Sequence, residues 1–472
     1  MVAIRVLMLV EDTPPVVASA ASVAAAVTAP AQPPPASTPQ TISVPNVPRE
    51  ISLDADFIPV PVRHESAAQT LAMAGMFAAA IPPQTLGPNS YVVRGTVDSA
   101  HLDTVTRGTM GPGGEPRLFA DPGIGAAPTC GGDPPVGTAT DVERLLQAGR
   151  LRRLGMQGEG VALAIVDTGI NLEHLRSRGL APRMNYHASW TPQTTVQPGA
   201  APLDHGTMCA FDALLSAPRA VLLDHAVLRS TRRGGSVMDG ILSDAVQSYG
   251  VLLRLMLLPD DERFFHSLVV SNSWGMFHPS WDFPPGHPGR YFDNPQHPFN
   301  RIVGSLANAG ADIVFAAGNC GPACPDGRCA PIPPDPQDRR ISGANGHPDV
   351  LCVAGVDTQR NLVGYSSHGP GALANDKPDL ATYTHFLGSE AFGTGTPDSG
   401  TSAACPVAAG VVAALRSAFP YAAGNANRAP GHLRGFLCQT ADKAGGAAAW
   451  NPQFGHGILF CAQFDNAGQV LR

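Results

Sequence analysis

The sequence predicts an α/β fold, a mostly parallel sheet flanked by helices, with an N-terminal extension. Stretches with helical spacing, such as residues 236–257, alternate with short runs that are mostly apolar. Such runs are typical of strands that are buried on both faces of a parallel sheet. Asp167 and Asn319 lie just past the ends of two of the runs, where ligands of such sheets bind. The runs are Val161–Val166, Val221–Leu223, Ser267–Val270, Ile313–Ala316 and Val350–Val353.

Composition divides the chain of 472 residues into five parts. The first is rich in Pro, Ala, Ser and Thr and cannot bury enough apolar surface to fold, so we predict a disordered segment. We predict a small module, a Gly/Pro-rich linker, the main domain and a short tail for the other four. In chain order, the predicted disordered segment is residues 1–49, the module 50–110, the linker 111–139, the main domain 140–465 and the tail 466–472.

Local patterns define the elements of the module and the start of the main domain. Ser66–Ala80 has the apolar spacing of a helix, and Tyr91–Val97 alternates as a strand does. Asp98 then marks the start of a further helix. In the main domain, Val142–Leu154 is predicted to be the first helix.

Bulk properties exclude some classes of function. The net charge of −7 has acids and bases scattered along the chain, which argues against nucleic acid as a partner. The apolar runs Val6–Val10 and Val16–Thr28 are shorter than the roughly 20 residues of a membrane-spanning helix, so no membrane span is predicted. Glu11 and Asp12 interrupt the first run, which is therefore a poor secretory signal. The sequence leaves the compartment open.

Three short segments carry the chemistry, since each sets an Asp, a His or a Ser among small residues. They are Val166-Asp167-Thr168-Gly169, Asp204-His205-Gly206-Thr207 and Ser399-Gly400-Thr401-Ser402. A hydroxyl group is a poor nucleophile near neutral pH, so an imidazole must take its proton and a carboxylate must orient the imidazole. The three segments together supply such a set.

These segments resemble those of the subtilisin-like serine proteases, the subtilase family, in residue type and in order. Gly400–Pro406 is similar to the nucleophile motif of that family, and Ala316–Asn319 is similar to its oxyanion-asparagine motif. Ser271–Gly275 resembles the strand that lines the substrate cleft, and Phe454–Leu459 resembles a Gly-x-Gly turn near the end of the domain. The resemblance runs from about Thr140 to about Gln463.

The resemblance implies a serine endopeptidase that hydrolyses peptide bonds through an acyl-enzyme. It implies that Asp167 orients His205, that His205 is the base and that Ser402 is the nucleophile. By the same resemblance, Asn319 and the Ser402 N–H form the oxyanion hole. The substrate is a protein or peptide, which the resemblance assigns to Ser273, Trp274, Gly275 and Gly318.

Each of these residues also has a simpler interpretation. Asp167 caps the following turn, Ser402 caps a helix that begins at Ala403, and Asn319 belongs to a Gly-Asn turn. Trp274 fits the core as well as it fits the substrate edge.

Three residues near the triad depart from the family pattern. Met208 and Phe211 stand where the family more often has a His and a small residue. We therefore expect altered packing beside His205 without loss of the base. Ala403 stands where Met is common. Cys209 is similar to the thiol of some family branches, although a buried and inert thiol is the simpler interpretation.

The nine cysteines are an odd number, so at least one has no partner within the chain. Cys320, Cys324 and Cys329 cluster and admit a loop disulfide, plain thiols or zinc, of which zinc ranks last because only three ligands are local. We predict no metal and no cofactor. Structural calcium, which is common in the family, is possible here, although the sequence has no Asp-rich calcium loop that would indicate a site. Residues 320–345 hold acids and bases that fit an acidic pocket or, more simply, a solvated loop.

The N-terminal module has two interpretations. The strand Tyr91–Val97 and the helix start after it resemble a piece of the inhibitory propeptide of the family, which implies that the protein's own N-terminal segment is an inhibitor. An unrelated accessory domain is the alternative. Two functional rivals also remain, namely a processing enzyme or transpeptidase with one dedicated partner and a catalytically silent binding protein.

Overall fold

A computed structural model describes most of the chain in two compact units, Met1–Asp121 with Gly286–Arg290 and Pro122–Pro285 with Tyr291–Arg472. The predicted helix Ser66–Ala80 lies outside the described residues, as do Cys130 and Cys324. The described residues are 2–11, 47–62, 90–126, 129, 134–192, 196–229, 238–323, 329, 340–443 and 450–471.

The first unit contains an antiparallel sheet with strand order β2-β4-β1-β5, and β3 also pairs with β4. The predicted strand at Tyr91–Val97 is β4, and the predicted helix start is confirmed, because the Asp98 side chain accepts a bond from the Ala100 N–H (3.0 Å). The elements are β1 Ala3–Glu11, β2 Ile51–Leu53, β3 Val60–Val62, β4 Ser90–Asp98, α1 Leu102–Gly108 and β5 Leu118–Ala120.

Strand β1 corrects the prediction that residues 1–49 are disordered throughout. It pairs with β4 along its whole length, with Val6 opposite Gly95. Val6 and Leu7 are both fully buried, so the strand is covered on its two faces. The apolar run Val6–Val10 is too short for a secretory signal or a membrane-spanning helix, but it is long enough for a buried strand. Its composition also differs from that of the Pro-rich residues that follow it.

The predicted linker 111–139 and the predicted tail 466–472 need corrections of the same kind. Strands β5 and β6 (Gly123–Gly125) both lie inside the predicted linker. Strand β6 is made of Gly and Ile and is held by backbone bonds, which leave no side-chain pattern in the sequence. Leu471 in the tail is buried in the core of the second unit.

The second unit contains the predicted parallel sheet, with seven strands in the order β14-β13-β12-β11-β7-β9-β8. All five apolar runs are strands of this sheet, so the predicted fold class is confirmed. The strands are β7 Val161–Val166, β8 Arg183–Met184, β9 Val221–His225, β11 Ser267–Asn272, β12 Asp312–Ala316, β13 Leu351–Val356 and β14 Leu380–Tyr383; the short β10, Asp239–Ile241, pairs with β6 instead.

The helices of this unit match the predictions in position but not always in length. The predicted helix Val142–Leu154 is two helices, because Gln147 adopts a left-handed conformation (φ 57°) between them. The helix predicted over 236–257 begins at Leu242, after β10. The helices are α2 Ala139–Leu146, α3 Ala148–Arg153, α4 Leu172–Ser177, α5 His205–Leu214, α6 Leu242–Leu257, α7 Pro298–Asn308, α8 Thr401–Ala418, α9 Pro430–Thr440 and α10 Ala467–Val470.

Helix α8 lies at the centre of the unit and packs against α5 and the sheet. Gly410 makes this possible, since a Cβ there would stand 2.1 Å from the Ala213 carbonyl oxygen of α5. Helix α8 is long and apolar enough to cross a membrane, but 89% of that stretch is buried inside the protein. Its composition is therefore that of a core helix.

Candidate active site

Asp167 directly follows β7 and contacts His205. Its Oδ1 accepts hydrogen bonds from the Thr168 N–H (2.7 Å) and from His205 Nδ1 (2.8 Å). The same oxygen of Asp167 thus caps the following turn and binds the imidazole, so the two interpretations of Asp167 do not exclude each other. A carboxylate at Nδ1 favours the tautomer with the proton on that nitrogen, and leaves Nε2 as the proton acceptor. Both side chains are buried, with His205 5% exposed.

His205 is the first residue of α5, and the segment after Asp167 fixes that end of the helix. The Gly206 N–H donates to Thr168 Oγ1 (2.8 Å), and Thr207 Oγ1 accepts from the Asn171 N–H (3.0 Å). A Cβ at Gly206 would lie 2.5 Å from the Gly169 carbonyl oxygen, so only glycine allows the two backbones to approach this closely. Met208 and Phe211 pack inside, as expected.

Ser402 is the second residue of α8, and its Oγ donates to the Ser273 carbonyl (3.2 Å). In a regular helix the Ser402 carbonyl would accept from the N–H of residue 406, but Pro406 has none. That carbonyl instead accepts from Ser273 Oγ (2.9 Å) and Cys209 Sγ (3.6 Å). These two bonds connect the predicted nucleophile turn, Ser399–Ser402, to Ser273 after β11 and to Cys209 of α5.

The Cys209 thiol lies where the three segments meet. Its Sγ is 3.7 Å from Asp167 Oδ2 and from His205 Nδ1, in addition to its contact with Ser402. Burial, together with the Asp167 charge, raises the pKa of this thiol well above its ordinary value, so the group stays protonated. The structure thus brings Asp167, His205 and the Ser402 backbone around one side chain, and the thiol fits the inert interpretation.

The donor set does not fit a metal centre. The ligand atoms of Asp167, His205 and Cys209 lie within 4.8 Å of one another, which is a spacing that metal sites have. His205 Nδ1, however, already holds the proton that it donates to Asp167, so this nitrogen has no lone pair free for a cation. Asp167 and His205 already bind each other.

Tyr365 and Thr384 hold the turn before the nucleophile. Gly400 has a φ of +79° and donates its N–H to the Tyr365 hydroxyl (3.1 Å), while its carbonyl accepts from Thr384 Oγ1 (2.6 Å). Thr384 donates its one hydroxyl proton to that carbonyl, so its oxygen must accept in the contact with Tyr365. The Tyr365 hydroxyl therefore donates to Thr384 (3.2 Å). Burial raises the pKa of Tyr365 to about 12, so the phenol keeps the proton that this bond needs.

Asn319 lies three residues beyond β12 and contacts the same turn. Its Oδ1 accepts from the Thr401 N–H and from Thr401 Oγ1, both at 2.9 Å. Because a backbone N–H can only donate, these bonds identify the oxygen of the amide and place its NH2 group on the other side. A Cβ at Gly400 would stand 2.9 Å from Asn319 Nδ2, so the amide donors lie beside the nucleophile turn. The Gly318 N–H donates to Thr401 Oγ1 (3.0 Å).

The predicted substrate edge carries a strand of the protein itself. Gly275 exchanges both backbone bonds with Gly125 of β6 (3.0 Å each). On its other side β6 pairs antiparallel with β10, and the Ala126 N–H donates to the Met238 carbonyl (3.1 Å). Further along the chain, Thr129 Oγ1 lies 3.3 Å from Ser399 Oγ. Strand β6 therefore lies between Gly275 and β10, and Thr129 lies beside Ser399.

The Trp274 side chain belongs to the core, which is one of the two interpretations that the sequence left open for this residue. The indole is 1% exposed and stacks edge-to-face on Phe315, with ring centroids 5.3 Å apart. Its carbonyl accepts from Asn345 Nδ2 (2.8 Å), which also bonds the Ala316 carbonyl (2.8 Å). The substrate edge at this position is backbone only.

The cysteine cluster after Asn319 contains a disulfide between Cys320 and Cys329. The loop interpretation with a disulfide is thus confirmed for this pair. Most of the acidic and basic residues of the 320–345 loop lie outside the described residues. Among the described cysteines, the free thiols are Cys209, Cys352, Cys405, Cys438 and Cys461.

Sequence reasoning missed several polar residues that support the site, namely Thr168, Asn345, Tyr365 and Thr384. Thr168 stands in the Asp167 segment, whereas the other three stand in no motif, and each of the four acts through a backbone group that is distant in sequence. It also missed Phe392, which is 44% exposed and has its ring centroid 6.4 Å from that of His205.

Comparisons with known proteins found similarity to one protein family and to individual proteases. The model of the subtilase family, Peptidase_S8, matches residues 158–457. The membrane-bound transcription factor site-1 protease of Homo sapiens is 29% identical over 293 residues, which cover 58% of this chain and 22% of that protein. The subtilisin-like protease SBT6.1 of Arabidopsis thaliana is 26% identical over 319 residues, 65% of this chain and 26% of that protein. The chain thus spans about a quarter of the length of the relatives that it matches.

Proposed function

Since this chain belongs to the subtilase family, we propose that it is a serine endopeptidase that hydrolyses peptide bonds through an acyl-enzyme on Asp167, His205 and Ser402. The observation that carries the proposal is the 2.8 Å bond between His205 Nδ1 and Asp167 Oδ1 in a buried setting. A hydrogen bond of this kind orients an imidazole as a base and stabilises the imidazolium that forms when it takes a proton.

In the first step, Ser402 Oγ attacks the carbonyl carbon of the substrate while His205 Nε2 takes the hydroxyl proton. The tetrahedral intermediate collapses when His205 returns that proton to the leaving amine, and an ester on Ser402 remains. Water then attacks the ester, with His205 again as base and then as acid. Asp167 keeps its negative charge throughout and holds the ring in place.

The oxyanion of each tetrahedral intermediate would be bound by Asn319 Nδ2 and the Ser402 N–H. Two observations support these donors. The bonds of Asn319 Oδ1 to Thr401 turn the amide NH2 towards Gly400. Ser402 lies in the first turn of α8, where N–H groups have no acceptor within the helix and the helix dipole favours negative charge.

The substrate would bind as an extended strand along Gly275. Strand β6 already makes the pairing that such a peptide would make, between Gly275 on one side and β10 on the other. Main-chain bonds of this type give affinity without reading side chains. The proposed substrate is therefore an unfolded or flexible protein segment.

Hydrolysis of a denatured protein and of a peptide library tests the proposal. We expect cleavage at internal bonds by the wild-type chain and none by the Ser402→Ala variant. Ser417→Ala is the matched control, because that hydroxyl lies on the same helix and bonds only the Ala414 carbonyl (2.6 Å) among described residues. Binding of peptides without turnover by folded wild-type protein would instead support a silent binding protein.

We further propose that the protein's own N-terminal segment inhibits this site before maturation. The support is the position of β6 on the substrate edge and the contact of Thr129 with Ser399. A tethered segment has an effective concentration in the millimolar range, so it competes strongly with free substrate. The flanking contacts favour cleavage between Ala126 and Thr129, inside the range 109–141 that the sequence suggests.

Expression of the wild-type and Ser402→Ala chains tests this proposal. Wild-type protein should lose its N-terminal segment, with a new N-terminus at residue 127, 128 or 129, and Ser402→Ala should keep its full length. The released segment, added back, should inhibit peptide cleavage. A stable, full-length and fully active wild-type protein would instead identify the segment as an accessory part.

A further inference from the structure

A histidine that the proposed mechanism does not use lies close to the nucleophile turn in an unfavourable backbone conformation. His385 follows β14, is 8% exposed and has a φ of +61°. This left-handed region is disfavoured for residues with a Cβ, although His enters it more readily than most. Such a conformation persists only where its surroundings hold it, and it is often found at functional sites. The contacts of His385 therefore indicate what it does.

A short segment just before α2 supplies two of these contacts. The His385 carbonyl accepts from the Val136 N–H (2.8 Å), and His385 Nε2 lies 3.1 Å from the Pro134 carbonyl oxygen. Because a carbonyl can only accept, Nε2 carries the proton of the second bond. The backbone and the ring of His385 thus both bind residues 134–139, which we call the anchor segment.

The anchor segment also pairs with the chain that follows His385. The Leu387 N–H donates to the Gly137 carbonyl, and the Leu387 carbonyl accepts from the Ala139 N–H, both at 2.9 Å. This is the pairing of a short parallel bridge. On its other side, the Val136 carbonyl accepts from Thr358 Oγ1 (2.8 Å). The segment is therefore fixed by backbone groups along its length.

The sequence of the anchor segment suits this arrangement. The two prolines at its start have φ angles fixed by their rings, so less conformational freedom is lost when the segment binds. Gly137 has a φ of +77°, and a Cβ there would stand 2.4 Å from Thr358 Oγ1 and 3.0 Å from Thr358 Cβ. Rotation of the Thr358 side chain does not relieve the second contact. At the other end, Thr138 and Asp141 form the capping box that begins α2.

His385 connects the anchor segment to the nucleophile turn. Its N–H donates to the Asp398 carbonyl (2.7 Å), just before that turn. The residue before it, Thr384, donates its hydroxyl to the Gly400 carbonyl (2.6 Å). Gly400 is the N-cap of α8, so its position sets the direction of the Ser402 N–H and hydroxyl group.

We propose that the anchor segment is a positioning element of the proposed active site and that His385 is the residue through which it acts. This inference rests on the proposed function, since it concerns the nucleophile turn of the same site. While the segment is bound, Thr384 holds the Gly400 carbonyl, and Ser402 keeps the direction that attack and oxyanion binding need. Without it, His385 would leave the left-handed region and turn Thr384 away from Gly400. The cleavage proposed between Ala126 and Thr129 leaves the segment joined to the catalytic residues.

Gly137→Ala displaces the anchor segment, and Gly155→Ala is its matched control. Both glycines have a positive φ, +77° and +73°, so both variants carry the same type of backbone penalty. At Gly155 nothing lies within 4 Å of an added Cβ, whereas at Gly137 the Cβ would meet Thr358. A difference between the two variants therefore reports the contacts of the segment.

His385→Asn is a milder variant that keeps the test decisive if Gly137→Ala does not fold. Asn tolerates the left-handed region but lacks the ring that bonds the Pro134 carbonyl. His432→Asn is the matched control, because the His432 ring bonds the Val470 carbonyl (3.1 Å) at an exposed position.

Steady-state kinetics of the full chain on a peptide measure the effect on the reaction. Gly137→Ala should lower kcat by about 10–100-fold with KM near the wild-type value, because the segment bonds residues beside the nucleophile turn. His385→Asn should lower kcat by about 2–10-fold, the worth of one hydrogen bond. Both controls should match wild type. In a Thr384→Val background, Gly137→Ala should change kcat by about threefold or less, because the bond through which it acts is already missing.

Hydrogen exchange in the Ser402→Ala chain supplies a readout that is independent of activity. The amides of Asp398, Gly400 and Thr401 are all hydrogen-bonded. Gly137→Ala and His385→Asn should each speed exchange of these amides by about tenfold, whereas their controls should not.

Faster exchange confined to residues 134–139 would overturn the inference, as would equal kcat values for each variant and its control. An equal effect of Gly137→Ala on kcat with and without Thr384→Val would also overturn it. Folded wild-type protein that cleaves no peptide, but in which exchange spreads from the anchor segment to Gly400, would contradict the proposed function alone.

Discussion

Helix α5 has a buried carboxyl group at two places, and the two groups differ in chemistry. At its first residue, His205 meets the Asp167 carboxylate, so a base and an acid share a proton that the proposed reaction can use. Two turns later, Asp212 is completely buried, and none of the described donors bonds its oxygens. Burial raises the pKa of Asp212 well above its ordinary value, which favours the protonated form. Both groups are buried aspartates, so their hydrogen-bond partners decide what each carboxyl group does.

The difference between the two places follows from the helix itself. The N-terminus of α5 lies at the carboxyl edge of the sheet, where Gly206 and Thr168 hold it against the segment after β7. The other place lies inside the protein, where Gly410 brings α8 against Ala213. Changes at the first place should affect the reaction, and changes at the second should affect stability.

Ser402→Ala should have the largest effect. We expect turnover to fall by about 10⁶-fold, which is the size of this loss in subtilisin itself. The fold should be intact, because the hydroxyl makes only one bond among described residues, to the Ser273 carbonyl. Steady-state kinetics on a peptide and the melting temperature measure the two parts. Turnover near the wild-type value would show that Ser402 is not the nucleophile.

Substitution of Asn319 should have the next largest effect. Asn319→Ala should lower kcat by about 10²–10³-fold with little change in KM, as the equivalent change does in subtilisin, because the bond to the oxyanion forms in the transition state. Asn319→Asp keeps the acceptor for Thr401 and removes the donor, so it should be about as slow but better folded. If Asn319→Asp retained the wild-type kcat, the role of Asn319 would be limited to its hydrogen bonds with Thr401.

Gly206→Ala should have an intermediate effect that acts through position. The added Cβ would stand 2.5 Å from the Gly169 carbonyl, so the start of α5 must shift, at a cost of about 1–3 kcal/mol in stability. Both the melting temperature and kcat should fall. Gly435→Ala in α9 is the matched control, since nothing lies within 4 Å of a Cβ there, and it should be neutral or stabilising. Equal melting temperatures and equal kcat values for the two variants would refute the close approach of Gly206 to the Gly169 carbonyl.

Cys209→Ser should have the smallest effect. The thiol is one of two donors to the Ser402 carbonyl, and Ser273 Oγ is the nearer one. We expect kcat/KM to fall by less than about tenfold, which is the worth of a single hydrogen bond. A loss comparable to that of Ser402→Ala, or inactivation by thiol reagents at the wild-type cysteine, would give Cys209 a direct part in the chemistry.

The parallel sheet and the segments that hold the proposed triad could be located from the sequence because both leave local signals. A strand that is buried on two faces, such as Val161–Val166, is an unbroken apolar run. The triad members stand in turns that require small residues, such as Gly206 and Gly400. These constraints act within a few residues, so a linear pattern records them.

The remaining features depend on contacts that the sequence does not record. Strand β6 is held by backbone bonds to Gly275 and β10, and backbone bonds select no side chain. Asp212 alone fits a surface acid, although the folded chain buries it completely. Trp274 suits a core or a cleft equally well until its ring neighbours are known. Only the folded arrangement distinguishes these cases.

Mass mapping of a fluorophosphonate adduct tests the central proposal most directly. Matured wild-type protein should carry one covalent adduct, on the tryptic peptide that contains Ser402, because His205 activates that hydroxyl alone. Prior heat denaturation and Asp167→Asn should each suppress the labelling. An adduct on a different residue of folded protein, or no adduct in protein that cleaves peptides, would contradict the assignment of Asp167, His205 and Ser402.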